Sequence, residues 1–252
     1  MVEKLLKEGV YVIHALKGYE YHENRIVELF KKNKIKFEFV TDGDPSHFNK
    51  ELLEKYFIVD INSKLRKGIL SCTLNHILAY ERMVVNKNEY AIIFENDPFF
   101  LGDFTKKLAK IADEIKGLEK GFIVSLENST LRFPSFWNTK SEKFLYQAKK
   151  GRMAGAYLID LEGATKILDD LKQNKCAAVI DWWHNDLLER GVVKMYWAHP
   201  PLVEQGSHNG HLHSTISSKP SSFGRRIKWL IQKNYKFYFR RLFSEARIIS
   251  KN

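Results

Sequence analysis

The chain has 252 residues, 44% of them hydrophobic, which is enough apolar material for a sizeable core and fits one large domain or one domain with an appendage. It contains no run of ~18 apolar residues, so no transmembrane helix is expected, and its two cysteines, Cys72 and Cys176, form neither a disulfide framework nor a CxxC motif and fit a reducing cytoplasm. The net charge of +11 is unevenly placed: residues 221–252 hold nine Lys or Arg and one acid, leaving +3 on the first 220, which weakens a nucleic-acid reading of the body.

The opening MVEKLLKEGVYVIHAL carries Glu3 and Glu8 and lacks a small-residue cleavage site, so it reads as a first strand and not as a signal peptide. Within it GVYVIHAL (9–16) is a continuous apolar run, as expected of a strand covered on both faces. ENRIVELFKKN (23–33) has helical spacing, with Ile26, Leu29 and Phe30 on one face. IKFEFVTDGD (35–44) alternates and ends in turn residues, predicting a second strand. SHFNKELLEKYF (46–57) predicts a helix capped by Ser46, and CTLNHILAYERMVV (72–85) a stronger one. YAIIFENDPFF (90–100) contains a buried strand that stops at Glu95 and Asp97. A helix over 103–120 starts at Asp103, and GFIVSLEN (121–128) is another buried strand.

The second half is less regular. Residues 141–172 read as strand, turn, strand, helix. AAVIDWWHNDLLERG (177–191) reads as a strand end running into a helix, and VKMYWAHPPLVEQ (193–205) as a strand broken by two prolines. Residues 206–222 form a Gly/Ser/His-rich loop. Four strand–helix alternations in the first half predict an α/β fold with an open, mostly parallel sheet. Such sheets bind ligands beyond the carboxyl ends of their strands. Glu95 and Asp97 lie at one such end, and His14 and Asp42 at others.

Two carboxylates one residue apart can reach one hard divalent cation, Mg²⁺ or Mn²⁺, while a diphosphate supplies further oxygens. A solvated turn is the plainer alternative. Six stretches, in order, resemble glycosyltransferase family 25, the lipopolysaccharide and lipooligosaccharide sugar transferases. They are YVIHA with NRIVELF and FEFVTDGD, Ser71-Cys72-Thr73-Leu74-Asn75-His76, Glu95-Asn96-Asp97, AYLIDLEGA (156–164), VID (179–181), and PPLVEQ (200–205) followed by HSTI (213–216). The resemblance spans roughly residues 10 to 218. Departures are His14-Ala15 for Asn-Leu, Ser71 and Asn75 for the Gly and Ser of the Cys-His motif, and Asn96 for the middle Asp of the acidic triplet.

The resemblance implies a GT-A-like, Rossmann-type nucleotide-binding sheet and an inverting transfer from a nucleotide sugar, most often UDP-galactose, to a lipid-linked surface glycan. It implies that Asp97 binds Mn²⁺ or Mg²⁺ and that Glu95 orients the ribose or a metal-bound water. It implies further that a carboxylate on the acceptor side removes the proton of the attacking hydroxyl in a single displacement. Asp181 is the candidate base, with an N-cap role as its plain alternative and Asp186 in reserve. Trp182 and Trp183 are candidates for stacking on sugar faces. His208, His211 or His213 is a candidate further metal ligand in a loop that could order over the nucleotide. His14, Arg25 and His76 are candidate donor-site residues, with an ordinary surface-helix role for Arg25 and a core role for His76 as the plain alternatives, and Gln205 is a candidate contact to donor or acceptor. Cys72 is read as packing.

The expected organisation is a domain over 1–222, with a nucleotide-sugar half (about 1–130) and an acceptor half (about 131–222), followed by a basic, aromatic tail over 223–252. Residues 223–248 have helical apolar spacing among Lys and Arg. That composition suits an anionic membrane surface and predicts a cytoplasmic protein peripheral to the inner face of the membrane. Packing on the body, or on a second copy in a homodimer, is the alternative. Two other functions stay open. One is a nucleic-acid-binding protein using the tail, although no recognised module accompanies it. The other is a catalytically silent family member that binds a sugar nucleotide.

Overall fold

Burial in the computed structural model alternates along each central strand, and this alternation defines three layers. The structure describes residues 1–212 and 223–243. Tyr11 and Ile13 of β1 (Val10–Ile13) enter one core while Val10 and Val12 enter another. β3 (Tyr90–Glu95), β5 (Phe122–Ser125) and β7 (Ala156–Asp160) divide their side chains in the same way. A period of two with apolar residues on both faces is what a sheet sandwiched between helices requires. On one side pack α3 (Lys50–Tyr56), α4 (Ile61–Lys64), α5 (Lys67–Val85), α7 (Leu161–Gln173) and α8 (Ile180–Glu189). On the other pack α1 (Val2–Glu8), α2 (Glu20–Lys32) and α6 (Phe104–Ile115).

The main sheet has seven strands in the order β2-β1-β3-β7-β5-β8-β6, with β2 spanning Glu38–Val40, β6 Leu145–Gln147 and β8 Lys194–Ala198. β1, β2, β3, β5 and β8 run one way, and β7 and β6 run against them. The sheet is therefore mostly parallel, as expected. β7, from the second half of the chain, lies between β3 and β5 and ties both halves into one sheet. β4 (Pro98–Phe100) and β9 (Val203–Gln205) form a separate antiparallel pair that carries the chain after Asp97 to Gln205. α9 (Gly206–Asn209) follows at once, and α10 (Phe223–Asn234), a π-helical stretch over Tyr235–Arg240 and α11 (Arg241–Phe243) make a helical arm.

Several local expectations are corrected. Residues 2–8 are helical: Leu5 and Leu6 face the core, Glu3 and Lys7 pair one turn apart, and the chain turns at Gly9, where a Cβ would meet Tyr90 O at 2.6 Å. Residues 45–47 form a single 3₁₀ turn held by Asp44, and Asn49, not Ser46, caps α3 by accepting from Leu52 N at 2.8 Å. α5 begins at Lys67, so Cys72 and His76 lie within the helix. Residues 177–179 form no strand, although Cys176 makes an isolated bridge to Phe57. Asp103 caps α6 as expected, accepting from Lys106 N at 2.9 Å.

Candidate active site

The carboxyl edge of the sheet gathers the candidates. β3 pairs with β1 in a register that sets Glu95 beside Ile13, and Glu95 N donates to Gly155 O at 2.9 Å. Glu95 Oε2 accepts from Gln205 Nε2 at 2.8 Å, and its Oε1 faces Cys72 Sγ and His76 Nε2, each 3.8 Å away. Burial, reinforced by the negative charge of Asp97, pushes Glu95 up to about 8. Asp97 is 5% exposed. Its Oδ2 accepts from Ser207 N at 2.8 Å, and its Oδ1 is buried with no hydrogen-bond partner among the described residues. The pair is thus held by β9 and α9, elements more than a hundred residues later in the chain.

Gln205 reaches Glu95 only because residue 155 is glycine. A Cβ there would stand 2.2 Å from Gln205 Cδ. Upstream, Asn75 on α5 accepts from Gly43 N at 2.7 Å and donates to His14 O at 3.3 Å, tying together the ends of β1 and β2. His14 is buried against Phe39, with Nε2 3.7 Å from Glu23, and burial lowers its pKa. His14 and Asn96 approach through Nδ1 and Nδ2 at 3.4 Å.

Two cavities meet here. One, of about 360 Å³, lies over the ends of β1 and β2 and is lined by His14, Tyr19, Asp44, Asn75, Glu95 and Asn96 among others. The second, of about 560 Å³, is lined by Asp181, Gln205, Ser207, His208, Trp229 and Lys236 among others. Cys72 and Glu95 belong to both walls. Asp181 lies in the first turn of α8, whose N-cap is Val179, so the cap alternative for Asp181 is set aside. Asp181 Oδ1 accepts from Ala154 N at 3.2 Å, and burial followed by the charge of Glu95 pushes it up to about 7.

The other expected residues scatter. Arg25 donates to Pro98 O at 2.7 Å and stacks over Phe99 at 4.4 Å, bracing the turn after Asp97. His76 is fully inside, with Nδ1 2.8 Å from Tyr157 OH, and burial lowers it to about 3. His208 lines the larger cavity, whereas His211 packs on Phe99. His213 lies outside the described residues. Asp186 pairs with Arg190 on the exposed side of α8 and is absent from both cavity walls. Trp183 is 2% exposed within the core and cannot stack on a sugar, while Trp182 is 65% exposed and outside both walls. The indole that lines the cavity is Trp229, on the arm.

Glu127 was not among the sequence candidates. It follows β5, is fully buried, and accepts from Ser129 N at 2.5 Å through Oε2. Oε1 has no partner among the described residues, and burial pushes Glu127 up to about 8. Its signal was the one that exposed Glu95: a buried apolar run that ends on an acid.

The model of glycosyltransferase family 25 (LPS biosynthesis protein) matches residues 8–182, more than half of the chain. The chain belongs to glycosyltransferase family 25. A "Putative glycosyltransferase" of Haemophilus influenzae is 28% identical over 180 residues, covering 68% of this chain and 60% of that protein. A "Glycosyltransferase 25 family member" of Aedes aegypti is 24% identical over 168 residues, covering 60% of this chain and 27% of that protein. The chain thus spans less than two thirds of the length of either relative. The family match covers Cys72, His76, Glu95, Asp97 and Asp181, and stops before Gln205, His208 and the arm.

Proposed function

We propose that this family 25 member is an inverting, divalent-metal-dependent glycosyltransferase of GT-A-like architecture that takes a nucleotide-sugar donor, with UDP-galactose the expected one, to a lipid-linked glycan. The observation that carries the reading is the junction of two cavities at Glu95 on the carboxyl edge of the sheet, two residues before the buried Asp97, which itself lines neither cavity. The smaller cavity suits the nucleotide and the larger the acceptor, with the transferred sugar at the junction.

The donor set fits a hard cation, since it offers carboxylate oxygens and one of them, Asp97 Oδ1, is buried without a partner among the described residues. Asp97 would hold Mn²⁺ or Mg²⁺, with Glu95 on the ribose or a metal-bound water. When bound, the ion neutralises charge building on the departing diphosphate. Gln205 fixes the Glu95 carboxylate, and Gly155 makes room for Gln205. Asp181 takes the proton of the acceptor hydroxyl as that oxygen attacks the anomeric carbon and the nucleoside diphosphate leaves. A carboxyl held at about 7 is poised for this, because a general base works best with a pKa near the operating pH.

The arm supports the acceptor assignment. Arg225, Trp229, Gln232 and Lys236 share the helix face that lines the larger cavity. The outward face exposes Ile227, Leu230, Ile231, Tyr235, Tyr238 and Leu242 among Lys and Arg. An apolar stripe flanked by cations suits an anionic membrane surface, and it would bring a lipid-linked acceptor to the cavity mouth. Among the described residues no helix is long and apolar enough to cross a membrane. The test is donor-dependent nucleoside diphosphate release. Asp97→Ala is expected to lower it by about 10²-fold or more with the fold intact. Release at the wild-type rate would overturn the metal assignment.

A further inference from the structure

We propose that Cys72 Sγ, His76 Nε2 and Glu95 Oε1 form a second metal site, suited to Zn²⁺ and similar borderline-soft cations, which shares Glu95 with the Glu95–Asp97 pair but does not use Asp97. α5 sets Cys72 and His76 four residues apart, hence one above the other on a single face. β3 delivers Glu95 between them, 3.8 Å from each, and all three donor atoms lie within 4.8 Å of one another. Tetrahedral zinc, with bonds of about 2.3 Å to sulfur and about 2.0–2.1 Å to nitrogen or oxygen, needs donor separations of roughly 3.3–3.6 Å. The cluster is within about 1 Å of that spacing, a contraction that rotamer adjustments of the partly exposed Cys72 and Glu95 can supply.

His76 is the observation that points to a ligand. Its side chain is fully buried, and Nε2 has no hydrogen-bond partner among the described residues. A buried unpartnered ring nitrogen is costly. Nδ1 is 2.8 Å from the Tyr157 hydroxyl, which is itself 2.6 Å from Tyr80 OH. When Nδ1–H donates to that oxygen, Nε2 keeps its lone pair on the side of Cys72 and Glu95. Metal-binding histidines are oriented by just such a bond from the second nitrogen. Gln205 performs the same service for the Glu95 carboxylate.

The charges also balance. Binding releases the Cys72 thiol proton, and the Glu95 proton where that carboxyl is protonated, to solvent as the metal–ligand bonds form, so a thiolate and a carboxylate neutralise the dication and the imidazole remains neutral. Cys72 and Glu95 line both cavities, which gives the ion an entry path and a solvent molecule as fourth ligand. The sulfur and nitrogen donors select against Mg²⁺, which prefers oxygen. Glu95 belongs to both sites, so zinc here would oppose donor binding. That consequence rests on the transferase reading, whereas the site itself does not.

Co²⁺, a spectroscopic stand-in for zinc, tests the site on the full chain. The expected result is one equivalent bound, with a thiolate-to-cobalt charge-transfer band and tetrahedral ligand-field bands that Zn²⁺ abolishes. The bands should persist in Asp97→Asn and vanish in Cys72→Ser, which retains Cys176, with Zn²⁺ affinity falling at least about 100-fold. Absence of a thiolate band in the wild type, or its survival in Cys72→Ser, would overturn the proposal. So would its loss in a folded Asp97→Asn, which would mean a single shared site. Failure of the transferase reading would appear separately, as absence of nucleotide-sugar binding with the cobalt bands unchanged.

Discussion

At the residue scale, the proposed chemistry depends on carboxylates whose ionisation the fold has shifted. Asp181 acts as a base only when ionised. Its pKa of about 7 therefore predicts a kcat/KM that rises with pH through about 7 and levels above it. Asp181→Asn should lower kcat by about 10²–10⁴-fold with KM little changed, and the pH profile should lose its acid limb. An unchanged limb would assign the base elsewhere. Gly155→Ala should cost about 1–3 kcal/mol through overpacking, because the new Cβ falls on Gln205. Moving Gln205 frees Glu95, so the melting temperature and turnover should fall together. Glu95 and Asp97 were legible in the sequence because a buried strand that stops on two acids is conspicuous. Gly155 was not, because its partner lies fifty residues away and no local pattern pairs them. Glu127 carried the same strand-ending signal as Glu95, but without a second acid close by.

At the element scale, two helices set the character of the site. α5 presents Cys72 and His76 to the sheet edge and, through Asn75, gathers the ends of β1 and β2. The sequence stripe showed the helix but placed its start five residues late, since Lys67 to Ser71 includes Gly68 and no capping side chain. In α8, adjacent tryptophans lie about 100° apart around the axis, so Trp182 and Trp183 could not both face one ligand. The arm combines two faces. Arg241 anchors its end, donating to Pro134 O at 2.8 Å and Thr139 Oγ1 at 2.7 Å and stacking on Phe136 and Phe237. Trp229→Ala should raise the acceptor KM while leaving donor affinity within about twofold. Replacing Ile231 and Phe239, both more than 60% exposed, with Glu should reduce sedimentation with anionic vesicles by about tenfold or more at unchanged melting temperature. Vesicle binding equal to wild type would remove the membrane role.

At the scale of the molecule, the layered α/β plan follows from composition and period alone. Continuous apolar strands need helices on both sides, and amphipathic helices alternate with them. The order of the strands was not legible. β7 enters antiparallel between β3 and β5, a long-range pairing that no sequence window contains. Burial of the carboxyls ties global stability to pH. Glu127 has a folded pKa of about 8, above its ordinary 4.5, so the native state binds the extra proton. Its stabilising contribution is complete below about 4.5 and is lost as pH rises through about 8. Glu127→Gln, which mimics the protonated acid, should match wild-type stability near pH 4 and exceed it at pH 8 by on the order of 1–3 kcal/mol. Denaturant titrations at the two pH values would show this.

Whether Glu95 and Asp97 form a metal-dependent donor site is read from calorimetric titration of the full chain with nucleotide sugars, with and without Mn²⁺. A nucleotide sugar should bind with Mn²⁺, removal of the metal should weaken binding at least about tenfold, and Asp97→Asn should do the same at unchanged melting temperature. Equal binding without metal, or by Asp97→Asn, would contradict a metal-dependent donor site.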